Sequence, residues 1–162
     1  MSNYKKEDRL EKHYTTDDLI QELFKYLDEF YPYEITEFLE NSAGDGRIVD
    51  FIKDKYKKDV VAYDIFNETK RYDIKECDYL KEKIEYKKGR VAIINPPFQK
   101  GLKFVYKALK ECDCVITILS STSILSIDYD SYDTGDIWLY KNYKFDNCKV
   151  SICIIGFKNK KN

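Results

Sequence analysis

Val91-Ala92-Ile93-Ile94-Asn95-Pro96-Pro97-Phe98 is an apolar run of β type that stops at an Asn and two prolines. Proline offers no N–H to a ladder and fixes its own φ, so the strand ends at Asn95 and the chain beyond it is rigid. One amide side chain, the carbonyl of Pro96 and the ring of Phe98 are left at the strand's carboxyl end. In open α/β sheets that end is where ligands bind. A planar amide, a fixed carbonyl and a ring suit a planar target carrying an NH2 group. The plain alternative is a Pro-rich turn with a capping Asn.

Upstream, Ile35-Thr36-Glu37-Phe38-Leu39-Glu40 reads as a strand. Asn41-Ser42-Ala43-Gly44-Asp45-Gly46-Arg47 follows as a turn, then Ile48, Val49, Phe51 and Ile52 at helical spacing. Strand, Gly turn and helix in that order bring backbone close to a cofactor. Gly44 and Gly46 permit torsions and approaches that a Cβ would block. The Lys-Ser/Thr ending of a P-loop is missing. Val60-Val61-Ala62-Tyr63-Asp64 is a second apolar strand, ending in an acid about twenty residues beyond the Gly turn, where a carboxylate can accept both hydroxyl protons of a ribose.

These segments resemble a known family. Asn95-Pro96-Pro97-Phe98 resembles motif IV of the S-adenosylmethionine-dependent amino-methyltransferases, which methylate adenine N6 and related amides. Glu40-x-x-x-Gly44-Asp45-Gly46 resembles motif I, with Asn41 at the usual Pro position. Cys77-Asp78-Tyr79-Leu80 resembles motif III. His13-Tyr14-Thr15-Thr16-Asp17-Asp18-Leu19 resembles motif X, with Thr16 where the family usually has Pro. The motif order is that of gamma-type DNA adenine methyltransferases, and the resemblance runs from about Tyr14 to Phe157.

The resemblance implies S-adenosyl-L-methionine as cofactor, with S-adenosyl-L-homocysteine as product. The cofactor would be held by Tyr14, Thr15, Glu40, Ser42, Ala43, Gly44, Gly46, Asp64, Ile65, Asp78, Tyr79 and Asn95. Catalysis would fall to Asn95, Pro96, Pro97 and Phe98. Asn95 and the Pro96 carbonyl would accept the two N–H bonds of the target amine, and Phe98 would stack on the base. In duplex DNA that base must be flipped out of the helix. The implied fold is the α/β, Rossmann-like class I methyltransferase fold: a mostly parallel seven-stranded sheet with an antiparallel terminal hairpin and helices on both faces. Adenine N6 in DNA is the implied target, ahead of RNA. RNA adenine, protein glutamine and a non-catalytic methyltransferase-like module are the alternatives.

Composition bounds these readings. A chain of 162 residues, 43% hydrophobic with nine Phe, suits one domain with one sizeable core. We expect a charged, mobile arm over 1–12, the methyltransferase domain over 13–158 and a basic tail over 159–162. No apolar stretch is long enough to span a bilayer, and the amino terminus is no signal peptide. Five Cys without C-x-x-C spacing and a single histidine, His13, argue against a zinc site and for a reduced, cytoplasmic chain. Abundant Lys, Asn, Ile and Tyr point to an AT-rich bacterial or viral source. A net charge of −1 is not the footprint of a tight, general nucleic-acid binder.

Helices are predicted over 15–30, 46–56, 79–86 and 100–110. Strands are predicted over 34–40, 59–64, 71–74, 90–95 and 113–120, then Ile137–Tyr140 and Val150–Phe157 joined around Asp146-Asn147. Alternation of apolar strands with helices means a parallel sheet covered on both faces. Residues 121–136 are the only insertion-like stretch, and they are short, acidic and Tyr-rich. They leave no room for the recognition domain of gamma-type enzymes. Target recognition is therefore expected from a separate subunit, a homo-oligomer or a non-duplex substrate. Lys100, Lys103, Lys107 and Lys110 share one helix face, either a solvated surface or a phosphate-contacting stripe.

Overall fold

The computed structural model describes residues 14–145 and 148–160. The arm over 1–12, His13, the Asp146-Asn147 turn and Lys161-Asn162 of the tail lie outside the described residues.

Helix α1 (Asp17–Phe30) starts where the sequence offers a cap. The Thr16 hydroxyl accepts from Leu19 N at 3.4 Å, and Asp17 and Asp18 complement the positive end of the helix dipole. Leu19, Ile20, Leu23, Phe24 and Leu27 fall on one face and are buried. Strand β1 (Glu37–Glu40) leads through the Gly turn into α2 (Arg47–Tyr56), followed by β2 (Val60–Asp64) and β3 (Ile74–Glu76). Strand β4 (Arg90–Ile94) ends at Asn95 as the prolines require, and α3 (Gly101–Ala108) and β5 (Cys114–Ser120) follow. The 121–136 stretch forms a 3-10 segment, Ser121–Ser126, and the short strand β6 (Tyr132–Thr134). Strands β7 (Trp138–Lys144) and β8 (Lys149–Asn159) close the chain as an antiparallel pair.

The sheet order is β3-β2-β1-β4-β5-β8-β6, with β7 also paired to β8. Strands β1 to β5 are mutually parallel, and β8 returns antiparallel to β5. Both β6 and β7 lie along the far edge of β8, at Phe157–Asn159 and Lys149–Ile154 respectively. The expected mostly parallel sheet is thus present, with two short strands sharing its last lane.

Register turns strand alternation into two cores. The row Leu39, Ala92, Val115 and Phe157 is in register across β1, β4, β5 and β8 and packs under α3. The neighbouring row Phe38, Val91 and Cys114 faces the opposite side, under α1 and α2. Burial on both faces is why these strands read as continuous apolar runs. On the first side Phe24 is fully buried, stacked on Phe51 at 4.6 Å and edge-on to Phe38 at 6.2 Å.

One predicted helix is absent. Residues 79–86 form only the 3-10 turn Tyr79–Lys81, and the backbone is extended at Glu82. Three anchors override the helix propensity of this Lys/Glu-rich segment. Asp78 caps the turn, Tyr79 is pinned in the core, and Arg90 Nη1 takes the Glu85 carbonyl at 2.7 Å, which a helix would have used internally.

Truncating Phe24 to Ala removes the ring shared by α1, α2 and β1. We expect a loss of about 3–5 kcal/mol, read as a lower urea midpoint with an unchanged slope.

Candidate functional site

Between β1 and β4 the strand order reverses, and such a switch point opens a crevice above the carboxyl ends of the strands. A cavity of about 840 Å³, counting its open mouth, lies there. Tyr14, Thr15, Glu40, Ser42, Ala43, Gly44, Asp64, Ile65, Asp78, Tyr79, Asn95, Pro96 and Pro97 line it. So five segments scattered along the sequence meet in one place.

The Gly turn is built on Asp64. Gly44, at φ 60°, donates its N–H to Asp64 Oδ2 at 2.7 Å, and Phe66 N donates to Oδ1 at 2.9 Å. Ala43 N donates to the Tyr63 carbonyl at 2.9 Å. One carboxylate therefore holds the β1–α2 turn against the β2–β3 loop. Glu40 ends β1 fully buried, and its Oε1 accepts from Ser42 N at 2.9 Å and Ser42 Oγ at 3.3 Å. Among the described residues its Oε2 and both amide atoms of buried Asn41 make no hydrogen bond of ordinary geometry. Burial pushes the Glu40 carboxyl up to about 8; the Ser42 hydrogen bonds oppose this and the nearby Asp64 adds to it.

The segment 14–16 is strapped across the crevice by each wall. Tyr14 donates its hydroxyl to Glu68 at 3.0 Å, and the Arg47 guanidinium sits 5.8 Å over its ring. Arg47 Nη1 reaches the Thr15 carbonyl at 3.4 Å. Asn95 Nδ2 donates to Thr15 Oγ1 at 3.0 Å, which ties the end of β4 to the strap. The Thr16 hydroxyl meets the Tyr143 hydroxyl from β7. On the other side, Asp78 Oδ1 accepts from Leu80 N at 3.1 Å. Tyr79 stacks on Phe104 at 5.5 Å and donates its hydroxyl to the Glu111 carboxylate.

Two expected site residues lie outside the cavity lining. Gly46 caps α2 at φ 89°, and a Cβ there would run into the Arg71 guanidinium. Phe98 is half-buried against the first core, its ring centroid 6.3 Å from that of Phe145. The cavity also takes Asn41, Asp45, Arg47, Ile48, Phe66, Cys77 and Phe104. Asn41 and Asp45 sit inside the quoted turn, whereas Phe104 reaches the site from α3 and carries no signal in sequence.

The lysine stripe of α3 divides. Lys107 is drawn inward, its Nζ 2.5 Å from Glu111 Oε2 and 3.9 Å from the Tyr79 ring centroid. Lys103 and Lys110 line a separate groove that also carries Lys83, Glu82 and Glu85, so its charge is mixed. Among the described residues no group of three or more His, Cys, Asp or Glu side chains is placed to hold a metal ion, and no helix is long and apolar enough to cross a membrane.

No family model matches the chain, and no curated protein matches its sequence. Solved structures match its shape. The 23S rRNA methyltransferase ErmE superposes with a TM-score of 0.71 at 10% identity, over 93% of this chain and 71% of that one. A putative RNA methyltransferase from Pyrococcus horikoshii gives 0.72 at 16% identity, over 98% and 92%. The methyltransferase subunit of a type I restriction-modification system from Streptococcus thermophilus gives 0.69 at 10% identity, over 93% and 45%. At these identities the likeness is one of fold, and the chain has the fold of these methyltransferases.

Glu40 makes stability depend on pH. Its ordinary value is 4.5 and its folded value about 8, so between these the folded chain holds a proton that the unfolded chain releases. Stability should therefore fall as pH rises from about 4.5 to about 8. Glu40→Gln should flatten that slope in urea titrations taken across the window.

Proposed function

We propose that this chain is an S-adenosylmethionine-dependent N-methyltransferase acting on an exocyclic amino group, with adenine N6 in nucleic acid as the target class. One observation carries the reading: a single cavity brings together the Gly turn, Asp64, Asp78 and Asn95-Pro96-Pro97, with Asn95 tied to Thr15.

The residues fit such a cofactor. The cavity is a concave crevice at a switch point, lined by apolar side chains together with a few polar ones, as small-molecule sites are. Glu40 Oε2 is a buried polar atom without a hydrogen bond among the described residues, and a ligand bearing an ammonium group can satisfy it. Ile65, Phe66 and Phe104 offer apolar surface for a purine face. Asp64 takes the ribose, Asp78 and Tyr79 the adenine, and Tyr14, Thr15 and Ser42 the amino-acid end. When bound, S-adenosylmethionine supplies an electrophilic methyl group.

The lone pair of an adenine amino group is delocalised into its ring, so the amine is a poor nucleophile. Asn95 Oδ1, the acceptor atom of the amide, accepts from the target. The Pro96 carbonyl accepts the second N–H, and both bonds favour rehybridisation of the nitrogen. The rest of the work is in-line positioning. Phe98, outside the cavity with Phe145 beside it, serves the target and not the cofactor.

RNA is the polymer to test first, since ErmE and the Pyrococcus protein are named for RNA, with DNA next. The net charge of −1 supports recognition by a second subunit or of a non-duplex substrate. One protein of similar fold, Mtq2 of E. cuniculi, is known as a complex with Trm112 that methylates the termination factor eRF1.

Calorimetry with S-adenosylhomocysteine tests the cofactor. The unmutated chain should bind it, and Asp64→Ala should weaken binding by about 1–3 kcal/mol. Absence of binding would favour a non-catalytic module. Single-turnover transfer to RNA, DNA and peptide pools tests the chemistry. Asn95→Ala should lose transfer while cofactor affinity falls far less. Transfer at the unmutated rate would reduce Asn95 to a turn cap.

A further inference from the structure

Arg71 stands outside every motif, yet it joins the two loops that form the cofactor side of the cavity. Its guanidinium makes two forked ion pairs. Nη1 and Nη2 hold the Asp50 carboxylate of α2 at 2.9 and 2.7 Å. Nε and Nη2 hold the Asp73 carboxylate at 2.9 and 2.8 Å. Nη1 also lies 3.4 Å from the carbonyls of Asp45 and Gly46, in the Gly turn itself. Lys53 of α2 reaches Asp73 at 2.7 Å and closes the network.

The arginine's own loop is equally constrained. Arg71 N donates to Asn67 Oδ1 at 3.1 Å, and Asn67 Nδ2 returns to the carbonyls of Arg71 and Ile74 at 2.7 and 3.0 Å. Asn67 N donates to Glu76 Oε2 of β3 at 3.0 Å. That loop carries Ile65 and Phe66 into the cavity and Glu68 to the Tyr14 hydroxyl. The guanidinium adds a second constraint at Gly46, whose φ of 89° already favours glycine. A Cβ at that position would collide with it, and both carboxylates prevent the arginine from stepping aside.

We propose that Arg71 is a positioning residue for the cofactor site: it clamps the β2–β3 loop to the Gly turn and so fixes the spacing between the walls that hold the adenosine part of the cofactor. The ligand half of this inference rests on the methyl-donor reading above; the clamp itself does not. A planar guanidinium can hold two carboxylates by forks at once, whereas an ammonium cannot, so Arg71→Lys is not conservative here.

Two measurements on the full chain separate the halves. The first is hydrogen exchange, without ligand, at the amides of Gly44, Gly46 and Phe66, all of which are hydrogen-bonded. Arg71→Lys should speed exchange at these three while leaving β4 and β5 unchanged. The second is calorimetry with S-adenosylhomocysteine. Arg71→Ala should bind about tenfold more weakly or worse, because the walls must be ordered on binding. Low-millimolar guanidinium, but not sodium at equal ionic strength, should restore much of the affinity. Unchanged exchange in Arg71→Lys overturns the clamp. Unchanged affinity in both variants, with the unmutated chain binding, overturns the positioning role. If the unmutated chain itself does not bind, the methyl-donor reading fails, and exchange alone decides the clamp.

Discussion

The buried carboxylate of Asp64 is the interaction on which the site depends. It accepts from Gly44 N–H on one oxygen and from Phe66 N–H on the other. Hydrogen bonds to a charged acceptor are short and strong, and here they replace the water lost on burial. Without them the turn after β1 and the loop after β2 would each leave a backbone donor to water, and the crevice between them would lose a fixed width. The Arg71 network repeats the same bridge from the outer side, farther from the cavity and nearer to solvent.

Two glutamates of β1 show how environment divides one residue type. Glu37, at the amino end of the strand, is buried, which opposes its charge. Hydrogen bonds from Lys87 and Arg90, at 2.9 and 2.6 Å, outweigh that and hold its carboxyl below the usual range. Glu40, three residues on, is buried beside Asp64 with no cation among the described residues acting on it, and is pushed up instead. The first is a structural ion pair: Arg90 also takes the carbonyls of Glu85 and Glu111, at 2.7 and 3.0 Å, and fastens a crossover that lacks its helix. The second stands at the cavity, where a cationic ligand can supply the missing partner.

Two residues depart from the motifs that the sequence resembles, and one of them has a local reason. Thr16 stands where Pro is usual, and its hydroxyl caps α1 and meets Tyr143, neither of which a proline could do. Asn41, also in place of Pro, puts an amide into the cavity wall.

The sequence by itself determined the carboxyl ends of β1, β2, β4 and β5; β3, expected over 71–74, lies at Ile74–Glu76, and β6 was not expected. Pro96 and Pro97 cannot extend a ladder, Gly44 and Gly46 take left-handed torsions, and alternating apolar runs need two covered faces; each of these is a local constraint. The motif resemblance also named most of the residues that line the cavity, and the topology brings those at the strand ends together at the switch point. Only the tertiary structure decided the rest. The 79–86 segment is helical by composition but is held open by Arg90 and Tyr79, from distant parts of the chain. Phe104 enters the cavity from α3, and Phe98 turns toward Phe145. Arg71 finds Asp50 and the Gly turn across more than twenty residues of sequence. Such pairings depend on which surfaces the folded sheet brings within a few ångströms of each other, and no local period records that.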